Sequence, residues 1–348
     1  MGMKNQNTRI TIKQVAEEVG LSITIVSQVL NNRPCRVSAE KRKLIESTAR
    51  KMNYRPNQVA VGLVKGQRNL IGLAISDIRN SFFVDLAKGV EDETRKNGWN
   101  LLLCNSNDNH KTELDNIQTL ADQGVSGIIL GLSSETTEEK GAECIHLLEK
   151  ERIPYILVDT DLESNTSGFV SLDHEMGGYM AARYLLESGH KNLICITGPA
   201  QLIATRQRLN GVKRACEECG HAYGSVRLIE GKYTYDSGRA AAERIIREYG
   251  DVNAIFAFND LIAIGAMQVF QEKGYRIPED LSVIGYDDIA TGVFLPTPLS
   301  TIHQPAEEIG KIAAECLITN PAGGNVQNKK ILLQPRLIRR KSVMATDG

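Results

Sequence analysis

The chain has 348 residues, of which 42% are hydrophobic and 24% are charged, and its formal net charge is −1. This is the composition of an ordinary soluble protein, and the length is enough for two or three domains. A membrane span is disfavoured, because no run approaches ~18 consecutive apolar residues. A disulfide scaffold is disfavoured as well, because the 7 cysteines are odd in number and scattered.

The N-terminal part of the chain differs in charge from the rest. Residues 1–68 contain 13 Lys and Arg against 4 Glu, a charge of +9, whereas residues 69–348 carry −10. The basic charge of residues 1–68 beside the acidic charge of the remainder indicates that residues 1–68 alone bind a polyanion. The alternative is a basic surface that is only solvated and binds no partner. Residues 1–9 are expected to be disordered. They contain no apolar stretch of the kind that a secretory signal needs, so we expect a cytosolic protein.

Residues 10–56 are predicted to form three short helices around one small core. Thr11 with Gln14 is a capping-box pattern that starts the first helix, Gly20 ends it, and Ser22 caps the second. A third helix is expected to start at Ser38 and to bury Leu44, Ile45, Ala49 and Met52. The tight turn between the first two helices is typical of a helix-turn-helix unit, whose second helix enters the DNA major groove.

The second helix keeps a narrow apolar seam and turns polar residues outward. Gln28 suits a bidentate contact to adenine, Thr24 a hydrogen bond to a base, and Ile23 packing on a thymine methyl. Other polar residues are candidate phosphate contacts, which position the unit without reading sequence. The candidate DNA contacts of this domain are Thr11, Ser22, Ile23, Thr24, Ser27, Gln28, Asn31 and Arg33. The alternative is a three-helix module that binds a protein.

Residues 57–68 are predicted to form a short helix followed by a linker. Pro56 and Asn57 can start a helix, and an apolar face follows, made of Val59, Ala60 and Leu63. A helix of this length is marginally stable alone. An unremarkable linker between two domains is therefore the alternative.

From residue 69 onward, apolar strand-like runs alternate with helix-like runs of about 10–15 residues. The predicted strands lie within 70–76, 99–105, 127–132, 155–159, 192–198, 254–258 and 281–287. This alternation is typical of doubly wound parallel sheets, and some 270 residues of it suit two α/β lobes. Ligands bind such lobes at the carboxyl ends of the strands.

Polar and aromatic side chains occur at these strand ends or in the connections near them. Each has a structural alternative, because an Asp at a strand end usually caps a helix and a Phe pair usually belongs to a core. If they converge on one cleft, carboxylates, an arginine and flat aromatic rings suit a polyhydroxyl ligand. The candidates are Phe82, Phe83, Asp159, Arg208, Tyr233, Asn259, Asp287 and Gln304.

Motifs along about nine tenths of the chain resemble the LacI/GalR family of bacterial transcriptional regulators. The first motif is TIKQVAEEVGLSITIVSQVLN, and those of the body are NSFF, GPAQLIATRQRLNG, AFNDLIAIGA, IGYDD, LSTIHQP and PRLIRRKSV. The resemblance implies a small all-α helix-turn-helix DNA-binding domain over 10–56, a hinge helix over 57–68, and an α/β body over 69–345. The body would have the periplasmic-binding-protein type I fold, with two doubly wound parallel-sheet lobes.

The same resemblance implies where the two lobes begin and end. The N-lobe would comprise about 69–171 and 303–329, and the C-lobe about 172–302 and 330–345. The eight candidates above correspond to the effector pocket of the family, and the hinge contributes Asn57, Val59, Ala60 and Leu63 as DNA contacts. Leu63 stands at the position of a leucine that enters the minor groove.

The function implied is that of a homodimeric repressor that binds a pseudo-palindromic operator and responds to a small effector. Leu202 and Ala204 lie where the purine-responsive member of the family has polar contacts to its corepressor. This argues against a purine here and for a sugar or sugar derivative. The chain ends soon after RRKSV without a heptad tail, so a dimer is expected rather than a tetramer.

Two other classes of protein fit parts of the pattern. One is a regulator controlled mainly by a protein partner, and the other is a sugar-binding protein without gene control, which the basic N-terminal part opposes. No enzyme is predicted, because the phosphate-loop, nucleophile-elbow, zinc-protease and dinucleotide motifs do not occur. No cofactor or metal is expected, since Cys216 and Cys219 lack the second ligand pair that a structural zinc site needs.

Overall fold

The computed structural model describes most of the chain as two compact units, residues 1–68 and residues 69–348. The described residues are 10–31, 34–54, 69–159, 161–162, 168–250, 252–319 and 329–344. No helix among them is both long and apolar enough to span a bilayer. The predicted disordered N terminus and hinge helix lie outside these residues, as do five candidate DNA contacts, Arg33, Asn57, Val59, Ala60 and Leu63.

The described helices and strands follow each other in the order expected for a helical unit and an α/β body. The helices are α1 Ile12–Val19, α2 Ile23–Leu30, α3 Ala39–Lys51, α4 Ser81–Lys96, α5 His110–Asp122, α6 Glu138–Lys150, α7 His174–Glu187, α8 Ile203–Glu218, α9 Tyr235–Glu248, α10 Asp260–Glu272 and α11 Ala306–Thr319. The strands are β1 Leu70–Ile75, β2 Asn100–Asn105, β3 Gly127–Leu130, β4 Tyr155–Val158, β5 Gly168–Leu172, β6 Leu193–Thr197, β7 Arg227–Glu230, β8 Ala254–Ala257, β9 Ser282–Ile284, β10 Thr301–His303, β11 Lys330–Leu333 and β12 Arg336–Ile338.

The first unit has the predicted helix caps. The Thr11 hydroxyl accepts a hydrogen bond from the Gln14 N–H, and the Gln14 side chain accepts one from the Thr11 N–H, which completes the capping box. Gly20 ends α1 in the left-handed conformation, with φ 66°. Ser22 caps α2 by accepting from the Ile25 N–H at 3.3 Å. These local signals therefore determine the turn of the helix-turn-helix.

The core of the first unit is built from all three helices, and one predicted member is absent. Its buried residues are Val15, Ala16, Val26, Val29, Ile45 and Ala49. Leu44 was expected among them and is 49% exposed, so that prediction is wrong. Successive residues point about 100° apart around a helix. Because Ile45 and Ala49 face the core of the unit, Leu44 is turned towards solvent.

The second unit contains two parallel sheets with helices on both faces, which confirms the predicted fold class. The first sheet has the strand order β11-β5-β4-β3-β1-β2, and the second has the order β7-β6-β8-β9. Strand β10 pairs antiparallel with β12. Apolar clusters cover both faces of each sheet. Both sets of carboxyl strand ends can therefore present polar residues to one cleft between the lobes.

The C-terminal boundary of the lobes differs from the prediction. Residues 330–345 were assigned to the C-lobe, but β11 pairs in parallel with β5, from Lys330 beside Phe169 to Leu333 beside Leu172. The first sheet therefore gains its last strand from the end of the chain. Strands β5, β7, β10, β11 and β12 were not predicted, because each has only three to five residues, too few for a clear apolar run.

Candidate nucleic-acid interface and ligand-binding cavity

Helix α2 leaves the predicted base-reading residues exposed or partly exposed to solvent. Ile23 is 46% exposed, Thr24 is exposed and Gln28 is half-buried. The Ser22 hydroxyl is occupied by its cap, and the Asn31 side chain donates to the Ser27 carbonyl at 2.8 Å. Among the described candidates, Ile23, Thr24 and Gln28 are therefore the ones placed to reach base edges. Their contact with DNA stays a prediction.

A cavity of about 450 Å³ lies at the carboxyl ends of the two sheets. Its size is that of an ordinary small-molecule site. Its walls include every one of the eight residues predicted to bind an effector, Phe82, Phe83, Asp159, Arg208, Tyr233, Asn259, Asp287 and Gln304. The fold thus brings the candidates together, and their role as ligand contacts stays a prediction.

Phe82 and Phe83 form the aromatic part of the wall. Asn80 caps α4 by accepting a hydrogen bond from the Phe82 N–H at 3.1 Å, which fixes the start of the helix. The two rings meet edge to face, with centroids 5.1 Å apart. A Cβ on Gly131 would lie 3.2 Å from the Phe83 ring, so the glycine after β3 lets that ring pack on the main chain. Both rings are mainly buried, as the structural alternative required.

Asp159 follows β4 in the left-handed region, with φ 68°. Its main-chain oxygen accepts hydrogen bonds from the Ser171 hydroxyl at 2.6 Å and from His174 Nε2 at 2.8 Å. Its Oδ1 is buried without a hydrogen-bond partner. Burial raises the pKa of this carboxyl, and the positive charge of Arg208 opposes the rise.

Arg208 on α8 supplies a buried positive charge to the cavity, since it is only 3% exposed. Its guanidinium lies 3.8 Å from the centroid of the Tyr286 ring, a cation–π contact. One Nη donates to the Phe258 carbonyl and the other to His174 Nδ1 at 3.3 Å. Its Nε has no hydrogen-bond partner. The charge is therefore held by neutral groups and an aromatic face.

Tyr233 and Asn259 are partly committed to the protein. The Tyr233 hydroxyl shares a hydrogen bond of 2.8 Å with the Thr205 hydroxyl, and burial raises its pKa. Asn259 caps α10, since its Oδ1 accepts from the Ile262 N–H at 2.9 Å. Its Nδ2 donates to the Tyr233 carbonyl at 3.3 Å. Asn259 thus has one side-chain N–H left for a ligand.

Asp287 and Gln304 form a buried, hydrogen-bonded pair in the cavity wall. Gln304 Nε2 donates to Asp287 Oδ1 at 2.6 Å, and Gln304 Oε1 has no hydrogen-bond partner. Burial raises the pKa of Asp287 well above its ordinary value, and Arg208 opposes the rise. Asp287 also has φ 116°, a conformation that side chains rarely adopt. Strained backbone of this kind is concentrated at functional sites.

Several cavity residues were missed by the sequence analysis. Asp108 and Ser134 follow β2 and β3, so the rule of strand ends would have found both. The Ser134 N–H and hydroxyl donate to Asp108, and its carbonyl accepts from Gln201 Nε2 of the other lobe at 3.0 Å. Two further residues, His174 and Tyr286, contact Arg208. They follow β5 and β9 by two residues each, but β5 was not predicted and Tyr286 lay inside the predicted strand 281–287.

One group of side chains in the described part of the chain has a composition suited to a metal. It consists of His110, Glu113 and Cys144, whose ligand atoms lie within 4.8 Å of one another. The Glu113 carboxylate accepts from the Ser133 N–H at 2.7 Å and contacts His110 Nδ1 at 3.1 Å. These bonds satisfy the buried carboxylate within the protein and tie α5 to the segment after β3.

Comparison with known proteins gives two family matches. Residues 11–57 match the bacterial regulatory proteins of the lacI family, and residues 182–343 match the periplasmic binding protein-like domain. The HTH-type transcriptional repressor PurR of Vibrio atlanticus (strain LGP32) is 34% identical over 334 residues, which cover 96% of this chain and 98% of that protein. The repressor of the same name from Vibrio vulnificus (strain CMCP6) has the same identity and coverage.

Solved structures of regulators also resemble this chain over 80% to 97% of its length. A lac repressor dimer bound to operator and the anti-inducer ONPF has 26% identity and a TM-score of 0.86, with 97% of this chain and 100% of that chain covered. A complex of the transcriptional regulator CelR with cellobiose has 26% identity and a TM-score of 0.71, with 96% and 100% covered. A LacI family regulator from Enterococcus faecium with bound ribose has 27% identity and a TM-score of 0.71, with 80% and 100% covered.

Proposed function

We infer the function from the premise that the chain belongs to the lacI family of bacterial regulatory proteins. It is a DNA-binding transcriptional repressor of that family, with a helix-turn-helix domain and a periplasmic-binding-protein-like domain. We propose that it is a homodimer acting in the cytosol on a pseudo-palindromic operator, and that a carbohydrate in the cavity controls its affinity for DNA.

The carbohydrate proposal rests on three buried polar atoms of the cavity that have no hydrogen-bond partner. They are Asp159 Oδ1, Gln304 Oε1 and Arg208 Nε. An unpaired buried polar group costs about 1–3 kcal/mol, so a ligand that pairs with all three gains affinity from each. Two acceptors and one donor match neighbouring sugar hydroxyls, which both donate and accept. The rings of Phe82 and Phe83 offer an apolar surface beside them.

Two further observations support a sugar. Leu202 and Ala204 line the cavity and offer no side-chain hydrogen bond to a nucleobase. Two regulators of similar structure carry cellobiose and ribose. The proposed control is a shift between two arrangements of the lobes. An effector shifts this equilibrium only by its difference in affinity for the two, typically about 1–3 kcal/mol.

A thermal-shift screen tests the effector class. We expect one of cellobiose, D-ribose, D-glucose or lactose, at about 100 times its Kd, to raise the melting temperature by on the order of 5 °C. An operator titration with and without that sugar then gives the sign of the response. Stabilisation by hypoxanthine or guanine instead would overturn the carbohydrate proposal. If no small molecule binds, control by a protein partner becomes the better explanation.

Replacing Gln28 by alanine is expected to weaken operator binding by about 1–3 kcal/mol and to relax the preference at one base pair. The reason is the loss of a bidentate contact to a base edge. Fluorescence anisotropy with the operator selected from a random DNA pool, and with single-base variants of it, measures both effects. Leu44→Ala is the control, since Leu44 is an exposed residue of α3 outside the candidate contacts. Equal affinities for Gln28→Ala and wild type would contradict the assignment of α2.

Replacing Phe294 by aspartate is expected to convert the proposed dimer into monomers and to weaken operator binding at least about tenfold. Phe294 is 84% exposed and neighbours Val293, which is also exposed, and large apolar groups side by side at a surface indicate an interface. Analytical ultracentrifugation gives the state of assembly. Leu332→Asp is the matched control, because Leu332 is exposed on a different element. A dimeric Phe294→Asp protein would place the interface elsewhere.

A further inference from the structure

The buried Arg208 lies near two carboxylates and is in ion-pair contact with neither. Among the ion pairs of the described residues, none joins Arg208 to Asp159 or to Asp287. The charge of Arg208 nevertheless acts on both carboxyl groups, because it opposes the rise in pKa that burial causes in each. Each carboxyl group also has another neighbour. For Asp287 the neighbour is Gln304, which occupies Oδ1 at 2.6 Å. For Asp159 the neighbour is His174.

The His174 ring lies between Arg208 and Asp159 and touches both. Its Nδ1 faces Arg208 Nη2 at 3.3 Å and the Tyr286 hydroxyl at 3.1 Å. Its Nε2 faces the Asp159 carbonyl at 2.8 Å, while Asp159 Oδ1 is 3.7 Å away. A guanidinium can only donate and a carbonyl can only accept, so both neighbours require the same neutral tautomer, protonated at Nε2.

The ring is fixed in place from several sides. His174 is the first residue of α7 and is almost completely buried. One turn later, a Cβ on Gly177 would lie 2.2 Å from the Tyr286 hydroxyl, so the glycine lets that tyrosine approach the helix. Burial, together with the charge of Arg208, lowers the pKa of His174 to about 3. The ring therefore remains neutral at physiological pH and cannot itself pair with Asp159.

We propose that His174 is a spacer that prevents Arg208 and Asp159 from forming an ion pair before an effector binds. This inference rests on the proposed function, because it makes His174 a positioning residue for effector binding. With the spacer present, Arg208 Nε and Asp159 Oδ1 are left without partners, so both are available to a ligand. Without it, the two side chains would pair with each other, and an effector would first have to separate them.

The test uses full-length protein with ¹³C-labelled aspartate and needs no effector. In wild type we expect the Asp159 carboxyl to titrate above the ordinary range, because it is buried and unpaired. In His174→Leu we expect its pKa to fall, since a direct contact with a guanidinium favours the carboxylate. His174→Asn keeps an acceptor for Arg208 and should resemble wild type. Asp159→Asn identifies the resonance, and His190→Leu is the control at another buried histidine.

A second measurement connects the spacer to binding. Isothermal titration with cellobiose and with D-ribose identifies the sugar that wild type binds. For that sugar we expect the affinity of His174→Leu to be lower than that of wild type by about tenfold or more, and the affinity of His174→Asn to be close to that of wild type. If wild type binds neither sugar, the carbohydrate proposal loses these two candidates, and the carboxyl titration still decides about the spacer. An unchanged Asp159 titration in His174→Leu, or the same change in His190→Leu, would overturn it.

Discussion

Replacing Arg208 by methionine is expected to weaken effector binding about 100-fold, equivalent to about 3 kcal/mol. Arg208 is the buried cation of the cavity, and its unpaired Nε is the donor proposed for a sugar hydroxyl. Methionine is long enough to keep contact with the Tyr286 ring, so the loss would reflect hydrogen bonding and charge rather than a cavity. Isothermal titration with the sugar found in the screen measures the change.

The matched control for this substitution is Arg206→Met. Arg206 lies on the same helix, is exposed and does not line the cavity, so its replacement should leave effector affinity within about 0.5 kcal/mol of wild type. A second readout follows from charge. Arg208 holds down the pKa of both Asp159 and Asp287, so both should rise in Arg208→Met. Equal effector affinities for Arg208→Met and Arg206→Met would remove Arg208 from the binding site.

Gly178→Ala is expected to lower the free energy of unfolding by about 3 kcal/mol, the upper part of the range for overpacked cores. Helices α7 and α8 cross here without side chains between them, and a Cβ on Gly178 would lie 2.2 Å from the main-chain oxygen of Arg208. A backbone atom cannot swing away as a side chain can, so the helices must move apart. Urea unfolding followed by circular dichroism gives the free energy.

The control for this variant is Gly224→Ala, because a Cβ on Gly224 meets no atom within 4 Å. That substitution should change stability by no more than about 0.5 kcal/mol. The Gly178 variant has a functional consequence as well. Moving α8 carries Arg208 away from His174 and Tyr286, so effector affinity should fall with stability. A Gly178→Ala protein as stable as wild type would show that the crossing tolerates a wider spacing.

Two acidic residues of the cavity combine an unfavourable backbone conformation with a buried carboxyl group. Asp159 and Asp287 both have positive φ, and both are acidic groups whose pKa is raised by burial. Each feature costs stability. Removing the positive φ and the buried carboxyl groups would make the protein more stable. Their occurrence together at Asp159 and Asp287 therefore supports a role of these residues in ligand binding.

The sequence predicted those structural features that depend on residues close to each other in the chain. The caps at Thr11, Ser22 and Ser38 were predicted and are present, because each side chain bonds to a backbone N–H within three residues. Six of the buried or half-buried parallel strands, β1, β2, β3, β4, β6 and β8, were found from their apolar runs, as was β9. The eight cavity residues were found from strand ends together with the resemblance to known regulators, since parallel strands deliver their carboxyl ends to one edge.

Only the tertiary structure decided the features that depend on partners far away in the chain. Strand β11 pairs with β5 at the edge of the first sheet. The four residues of β11 do not show by themselves which strand they will pair with. Leu44 and Ile45 are both apolar, but only Ile45 is buried, because it is the one that packs in the core with residues of α1 and α2. The role proposed for His174 depends on its contacts with Arg208, Asp159 and Tyr286, which lie on other segments of the chain. Sequence by itself determined the family, the fold class and the candidates for the cavity. The arrangement that leaves a buried arginine without a carboxylate in ion-pair contact arises only when distant segments meet, because its neighbours come from several elements.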